Sequence, residues 1–384
     1  MQAIHHDVPS AEHDQGSASG GLPDPFGNFD QLVEGWYWAL RSKDLKKGQI
    51  KSVTFLGRDL VIYRGTDGRP RTLDAYCPHM GAHLAEGQVD ETGVRCFFHH
   101  WKLDETGSVV DCPIQDTIPK TSNHAWPTDE KYGMVWVWTG ESPWHPVPFI
   151  PELMEEPERA MLGSQFTKGC HPNIVMVNAI DEQHFHSVHP MASSLANGLH
   201  FEVASYNSNC QTFDNSNSVP GTNWFNRILA KFYADSLTYR MVYWNGSTGS
   251  VTVGPDFWHF HIIFALRPTQ NGETAGQTIL VTKKHEGPLG FLFDKISLVL
   301  SHIVGSYFAA GDTRVFQTIK WNFKTPIKAD RPIIAFMKHL QKQKFREWGS
   351  WRPLYNSNSN EPSSRPQMPH LDTRGDDNSD ELPE

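Results

Sequence analysis

The sequence predicts an α+β protein in which a small all-β region precedes a larger region that combines strands with helices. Between residues 35 and 144, short apolar runs alternate with Gly and Asp turns, and 132–138 is rich in aromatic and β-branched residues. A proline-rich stretch at 142–157 marks a boundary. Beyond it we predict strands at 251–253, 260–266 and 278–281, and helices near 174–189, 288–309 and 330–347. This mixture is typical of the α+β class.

Length and composition predict four segments. We expect a disordered N-terminal segment (1–30), an all-β domain (31–145), an α+β domain (150–353) and an acidic disordered tail (354–384). The tail is rich in Ser, Asn, Pro and Asp, and it lacks the apolar residues that a packed core needs.

The net charge of the chain limits its expected binding partners, and its cysteine content indicates the cellular compartment. The net charge is −9, no basic stripe is evident, and we therefore expect no nucleic-acid partner. Two of the five cysteines belong to the motifs described below, and the other three are scattered, which is unlike a disulfide framework. With no signal-peptide pattern at the N-terminus, a reducing, cytoplasmic location is expected.

The most apolar run covers 287–311 and is interrupted by Asp294, Lys295 and His302. Those interruptions make it shorter than the uninterrupted stretch of about 18 apolar residues that a membrane span requires. We interpret it as an amphipathic helix that covers a pocket or a subunit contact, and we do not expect a membrane partner. Association with a membrane surface is the alternative.

Two short motifs indicate a metal cluster. Cys77-Pro78-His79 is followed, after sixteen residues, by Cys96-Phe97-Phe98-His99. Two cysteines and two histidines in a C-x-H and C-x-x-H arrangement match a Rieske [2Fe–2S] centre, where two His replace two Cys on one iron. Cys₂His₂ also suits Zn²⁺, but zinc fingers usually pair C-x₂₋₄-C with H-x₃₋₅-H. His83 and His100 lie outside the pattern, and Cys112 either belongs to a loop covering the cluster or simply ends a strand.

A second group of metal-binding residue types lies between 178 and 189. Asp181 and His184 are three apart, so on a helix they would lie on one face, whereas His189 is five from His184, so the helix should end or widen before Pro190. Non-haem Fe(II) oxygenases hold iron by two His and one carboxylate. The carboxylate must come from elsewhere, and Asp312 is the best candidate because it opens a segment directly after the apolar helix.

With both groups in view, the chain resembles the oxygenase (α) components of Rieske non-haem iron oxygenases, from about residue 36 to residue 348. The resemblance implies a helix-grip (START-like) catalytic domain around a hydrophobic pocket. It also implies that Asp181 is a catalytic acidic residue, which bridges an iron histidine of its own subunit and a cluster histidine of a neighbour. The metal ligands that it implies are Cys77, His79, Cys96 and His99 for the [2Fe–2S] cluster, and His184, His189 and Asp312 for mononuclear Fe(II).

Within the family, the cluster loop and the C-terminal Phe345-Arg346-Glu347-Trp348 look most like arylamine N-oxygenases of the aminopyrrolnitrin type. Steroid hydroxylases and the cyclising oxygenases of prodiginine biosynthesis share the layout. The chain departs from most members at Phe97, where Pro is usual.

The resemblance implies an enzyme that activates O₂ to hydroxylate, N-oxygenate or oxidatively cyclise a hydrophobic aromatic or polycyclic small molecule. Electrons would come from a ferredoxin or a flavin reductase, because the chain shows no flavin or nicotinamide fingerprint. A homotrimer is expected, with one subunit's cluster serving its neighbour's iron. Two alternatives stay open: a sterol or steroid substrate, and a Rieske electron-transfer or redox-sensing protein without oxygenase activity. Candidate pocket aromatics are Phe201, Phe213, Trp224, Phe225, Phe232, Tyr243, Trp258 and Phe260.

Overall fold

The computed structural model describes Phe26 and residues 31–189, 200–203, 211–217, 237–255, 258–269 and 271–348. These residues fall within one compact unit. The segments expected to be disordered, 1–30 and 354–384, lie outside the described residues except for Phe26, and the four-segment division remains a prediction.

The N-terminal region consists of small antiparallel sheets. One has the strand order β10-β5-β4-β3, one β11-β12-β2 and one β6-β7-β8-β9. The strands are β1 (Gln31–Val33), β2 (Trp36–Arg41), β3 (Ile50–Phe55), β4 (Arg58–Arg64), β5 (Pro70–Asp74), β6 (Gln88–Asp90), β7 (Gly93–Arg95), β8 (Lys102–Leu103), β9 (Val109–Asp111), β10 (Ala125–Trp126), β11 (Thr128–Lys131) and β12 (Met134–Trp138).

Strand β12 shows why this region needs apolar residues on consecutive positions. All five of its residues are buried. Val135 and Val137 pack into one apolar cluster, while Met134, Trp136 and Trp138 pack into another. Because successive side chains of a strand point to opposite faces, β12 separates two cores and contributes to both.

The C-terminal region is built on a seven-stranded antiparallel sheet with the strand order β13-β19-β18-β17-β16-β15-β14. Its strands are β13 (Glu158–Lys168), β14 (His200–Val203), β15 (Gln211–Asn217), β16 (Leu237–Trp244), β17 (Thr248–Pro255), β18 (Phe260–Pro268) and β19 (Thr274–Lys283). Its helices are α1 (Pro172–Asn178), α2 (Glu182–Ser187), α3 (Gly287–Thr318) and α4 (Arg331–Gln341). Helix α3 packs against β13, β18 and β19, which gives the long helix across a sheet that the helix-grip prediction requires.

Two of the predicted helices differ from those observed. The predicted 174–189 helix is two short helices, because Asp181 caps α2 and so begins a new helix after α1 has ended. The predicted 330–347 helix ends at Gln341, and 345–347 instead form a strand, β20 (Phe345–Glu347).

Strand β20 returns the chain to the N-terminal sheets. It pairs antiparallel with β1. Trp348 follows it, is 1% exposed, and its indole N–H donates to the Phe55 carbonyl at 2.8 Å. Glu34, also 1% exposed, accepts hydrogen bonds from Arg346 and lies 3.2 Å from the Lys344 ammonium. The last described residues therefore complete the apolar core of the N-terminal region.

Candidate metal centres and substrate cavity

The two cysteine–histidine motifs come together at one tip of the N-terminal region. Cys77 and Cys96 are buried, whereas His79 and His99 are exposed, with their Nδ1 atoms 3.1 Å apart. Burial, together with a smaller effect of the neighbouring Cys96, raises the pKa of the Cys77 thiol to about 11. A buried thiol of this kind forms a thiolate readily only when a metal cation replaces its proton. Two inward thiols and two imidazoles aiming the same nitrogen at a common point fit a [2Fe–2S] cluster of the Rieske type.

Tight backbone turns hold these side chains. The Cys77 carbonyl accepts from the Gly81 N–H and the Cys96 carbonyl from the His100 N–H, so each motif folds back on itself within four residues. Gly81 and His100 adopt positive φ angles of 73° and 58°. The His100 conformation is supported by Arg95, which donates to the His100 carbonyl at 2.6 Å. The backbone of the two loops therefore sets the direction of the ligands before any metal binds.

The residues next to the two motifs pack against the loops or stabilise their turns. The Trp101 ring stacks on the His79 imidazole with centroids 4.2 Å apart. His83 accepts from the Ala85 N–H and caps a short 3₁₀ turn, as expected of a loop residue. Cys112 directly follows β9 and is buried in the same apolar cluster as the two motif cysteines. It therefore both ends a strand and packs beneath the loops.

A second constellation lies in the C-terminal region. His184 Nε2 and His189 Nε2 are 2.7 and 2.8 Å from the same oxygen of Asp312, Oδ1. His184 and His189 are buried, and one donor atom from each of the three residues lies within 4.8 Å of the others. Burial alone would raise the pKa of Asp312, but hydrogen bonds from the two imidazoles lower it to about 2. The carboxylate is thus an anion facing two imidazole nitrogens, which is the donor set of a mononuclear iron site.

The elements that carry this group differ in part from the expectation. His184 lies in α2, which ends at Ser187, and His189 follows the helix end, as its spacing predicted. Asp312 does not open a new segment, because α3 continues through it to Thr318. Gly311 lies inside this helix rather than at its end. A Cβ at this position would lie only 2.9 Å from His189 Cε1, so a larger residue would crowd the imidazole. The glycine makes room for the imidazole.

The bridging role that the resemblance implies for Asp181 stays a prediction, and within one chain its carboxylate has a structural role. Asp181 is the N-cap of α2, and its Oδ1 accepts from the backbone N–H groups of Gln183 and His184 at 3.0 and 3.3 Å. Among the described residues its carboxylate makes no hydrogen bond with the His184 imidazole, and His184 Nδ1 is buried without a partner. An unpaired buried nitrogen is unusual, so this atom is free to take the partner that the bridging role requires.

A largely apolar cavity of about 340 Å³ includes the three clustered side chains in its lining. Polar residues that sequence reasoning missed also line it, among them Asn178, Lys168 and Thr313. Asn178 Nδ2 is 3.2 Å from His184 Nε2, and the Lys168 ammonium, 9% exposed as a residue, donates to Thr313 Oγ1 at 2.8 Å. Burial lowers the pKa of Lys168. Apolar lining residues include Val175, Met176, Phe185, Met241, Val251 and Phe316.

The candidate pocket aromatics are only partly tested. Tyr243, Trp258 and Phe260 are described and do not line the cavity. Tyr243 packs edge-on against Phe336, and Trp258 stacks on Phe293. The side chains of Phe201, Phe213, Trp224, Phe225 and Phe232 lie outside the described part of the chain.

Comparison with known proteins agrees with this geometry. Residues 35–122 match the Rieske [2Fe-2S] domain family. The chain is 35% identical over 183 residues to cholesterol 7-desaturase of Bombyx mori, covering 46% of this chain and 38% of that one. It is 34% identical to aminopyrrolnitrin oxygenase of Pseudomonas fluorescens, covering 44% of this chain and 50% of that one. The chain thus matches half or less of the length of these curated relatives.

Solved structures resemble a larger part of the chain. A variant of NdmA from Pseudomonas putida CBB5 with caffeine superposes with a TM-score of 0.59 at 16% identity, covering 80% of this chain and 89% of that one. The oxygenase in complex with ferredoxin of carbazole 1,9a-dioxygenase gives 0.59 at 15% identity, covering 82% and 90%.

Together, these findings define an N-terminal Rieske domain followed by a catalytic-type α+β domain. The chain has the architecture of the oxygenase α components of Rieske oxygenases, and its relatives include two oxygenases and a desaturase of that kind. The family match indicates a Rieske [2Fe–2S] cluster at the N-terminal tip, and His184, His189 and Asp312 form a group that could hold a metal ion.

Proposed function

We propose that this chain is the oxygenase component of a Rieske non-haem iron enzyme that oxidises a hydrophobic small molecule with O₂. The observation that carries the proposal is the convergence of His184, His189 and Asp312 at the end of an apolar cavity, in a chain that also carries a Rieske tip. An electron carrier or redox sensor would have no use for such a cavity or for a second metal site.

We assign the ligands from the two constellations. Cys77 and Cys96 would hold the inner iron of the cluster, and the exposed His79 and His99 the outer one. His184, His189 and Asp312 would hold the mononuclear iron on one face and leave the opposite positions open towards the cavity. The bound metals supply the redox chemistry and O₂ activation, while the surrounding residues position the substrate and exclude water.

The neighbouring side chains support these tasks. Asn178 lies within hydrogen-bonding distance of His184, and Gly311 leaves the space that His189 occupies, so both imidazoles have fixed orientations. The apolar walls formed by residues such as Met176 and Phe185 exclude water from the reacting end of the cavity. Among the described residues that line the cavity, Lys168 is the only lysine or arginine, and its ammonium could donate a hydrogen bond to a substrate.

Electron delivery requires contact with other chains. The tip presents His79, His99, Met80, Phe97 and Phe98 to solvent, which suits docking to a protein surface. A head-to-tail homotrimer would bring this tip to Asp181 of a neighbouring subunit. A ferredoxin or flavin reductase would reduce the cluster, and the solved oxygenase–ferredoxin complex of carbazole 1,9a-dioxygenase supports the ferredoxin alternative. We place the enzyme in the cytoplasm.

The substrate class follows from the cavity. Its predominantly apolar lining favours an aromatic or polycyclic molecule, and the names of the relatives include a cholesterol desaturase, a 3-ketosteroid monooxygenase and aminopyrrolnitrin oxygenase. We propose hydroxylation, N-oxygenation or oxidative cyclisation of such a molecule. N-oxygenation of an arylamine is the first specific reaction to test, and oxidation of a sterol is the second.

Two measurements test the proposal. An oxygenase should contain roughly three iron atoms per chain, whereas a pure Rieske carrier should contain roughly two. Chemically reduced enzyme should then be incubated with ¹⁸O₂ and a panel of arylamines, sterols and pyrrolic aromatics. Label in any product, or a desaturated product from the sterol arm, supports an oxidising enzyme. A stoichiometry of two irons, with every compound unchanged, would support the carrier instead.

A further inference from the structure

Helix α3 buries apolar and polar residues on its inner side and exposes a row of large apolar side chains on its outer side. Asp294, Ser297 and Ser301 are at most 2% exposed and face the protein. Arg159 and His285 hold the Asp294 carboxylate at 2.8 and 2.7 Å. The solvent side carries large apolar side chains, which we call the outer stripe: Leu289 (82% exposed), Leu292 (54%), Ile296 (47%), Val299 (50%) and Ile303 (58%).

The outer stripe is continuous along the helix. At about 100° per residue, its five side chains lie within an arc of about 80°, so they form one band along four turns. Phe293, 42% exposed, widens the band at its N-terminal end. An exposed apolar band of this size on a folded protein marks a surface that binds something.

The structure also excludes a transmembrane position for α3. This helix is the one among the described residues that is long and apolar enough to cross a membrane. However, its inner side packs against β13, β18 and β19, and Asp312 lies in its C-terminal third at the metal-binding group. The helix is therefore part of the domain core, and only its outer side is available to a partner.

The charge around the outer stripe is opposite in sign to that of the whole chain. Between residues 287 and 329 the only acidic residues are Asp294 and Asp312, and both face inward to the partners given above. The exposed charged residues on α3 itself are Lys295 and Arg314, both basic, and Lys320, Lys324 and Lys328 follow in the segment after the helix. Arg314 falls at the same angular position on α3 as Ile296. A chain with a net charge of −9 thus presents a basic, apolar surface here.

We propose that the outer stripe binds the surface of an anionic phospholipid bilayer, with α3 lying parallel to the membrane plane. Apolar side chains would enter the boundary between headgroups and acyl chains, and the basic residues would contact anionic headgroups. A symmetric pair of two such faces fits less well, because it would bring basic segments of the same sign together, and a head-to-tail contact of this face with a second copy is an outcome of the test below.

The cavity lies next to the part of α3 that would contact the membrane. Ser306, Ala309 and Ala310 continue α3 beyond the outer stripe, are exposed, and also line the cavity. A lipophilic molecule dissolved in the bilayer would thus enter beside the membrane-bound helix without crossing water. This route rests on the proposed function, whereas the membrane binding itself does not.

Vesicle flotation of the full-length, metal-loaded protein tests the binding. The protein should float with vesicles of phosphatidylcholine and phosphatidylserine, and less with phosphatidylcholine alone or in high salt. The triple variant Leu292→Gln/Ile296→Gln/Val299→Gln should lose binding by on the order of tenfold or more, because binding scales with the buried apolar area. Lys295→Gln/Arg314→Gln, which removes the two exposed basic residues of α3, should lose the preference for phosphatidylserine.

The matched control is Ile114→Gln/Ile118→Gln/Met154→Gln, which removes three exposed apolar side chains from other surfaces and should leave flotation unchanged. An unaltered Rieske absorption spectrum would show that each variant is folded, whatever its activity. The proposal is overturned if wild-type protein floats with neither kind of vesicle. It is also overturned if the triple variant of the outer stripe floats as well as wild type does. A wild-type oligomer that does not float and that dissociates in the stripe variant would assign the face to a second copy instead.

Discussion

Asp181 illustrates how one carboxylate can hold two separable functions. Its Oδ1 caps α2 by accepting from two backbone N–H groups, and its negative charge would provide the link between the two metal centres. Asn caps helices about as well as Asp, so the two functions can be separated by substitution.

We predict that Asp181→Asn keeps its stability to within about 0.5 kcal/mol and binds both metals, yet loses most turnover. Single-turnover assays starting from reduced cluster would show whether electron transfer is the step lost. The control Asp181→Ala removes the cap as well, and should unfold about 1 kcal/mol more easily in denaturant titrations. Wild-type turnover in the Asn variant would rule out the electron-transfer role.

The two metal sites should fail independently. His79→Ala should abolish the Rieske EPR signal, because one imidazole ligand of the cluster is lost. His184→Ala should retain that signal while lowering the iron content by roughly one atom per chain and ending turnover. Loss of the Rieske signal in His184→Ala would show that the division into two sites is wrong.

At the residue scale, the cysteine–histidine motifs and the His184–His189 pair could be recognised because each is local in the chain, and the family resemblance supplied the roles of these residues. Asp312 could be chosen because a metal needs a carboxylate, although its place within α3 was missed. Lys168 and its partner Thr313 could not be predicted, since they are 145 positions apart and meet only through the packing of β13 against α3.

At the scale of elements, the inner side of α3 is fixed by an ion pair. Asp294 is fully buried between Arg159 and His285, whose own side chains are 25% and 42% exposed. Burial alone would raise the pKa of Asp294, but hydrogen bonds from Arg159 and His285 lower it overall. The carboxylate thus anchors the helix as an anion.

We predict that Asp294→Ala destabilises the protein by about 1–3 kcal/mol at neutral pH, a range reduced for the partial exposure of its partners. Because the folded-state pKa is depressed, this contribution is present above about pH 4 and is lost as the pH falls through the folded-state value. Denaturant titrations of both proteins should therefore converge in acid. A gap that widened below pH 4 would contradict this assignment.

Strand patterns were easier to predict than helix boundaries. Runs such as 260–266 and 278–281 are strands in the structure because alternating or continuous apolar residues need a sheet to bury them. The predicted helix ended at 309 with the apolar run, whereas α3 continues through Gly311 to Thr318. The missing side chain of Gly311 leaves room for His189, which is far away in the sequence, so the sequence could not indicate this requirement.

At the scale of the whole molecule, the C-terminal strand stabilises the N-terminal sheets. We predict that Trp348→Ala costs about 3–5 kcal/mol, because a fully buried indole and its hydrogen bond to Phe55 are removed. Trp144→Ala is the control, since Trp144 is 40% exposed and should cost less. Calorimetry of both variants would measure this, and equal shifts in Tm would contradict the closing role of Trp348.

The same closure has a consequence for the order of events during synthesis. The carbonyl of Phe55 and the indole of Trp348 are separated by 293 positions. At a translation rate of about 5–20 residues per second, roughly 15–60 s pass between the two residues leaving the ribosome tunnel. For that time the nascent N-terminal sheets lack their last strand and their closing tryptophan. Stable packing of the apolar cluster around Phe55 is therefore expected only after Trp348 has left the ribosome tunnel.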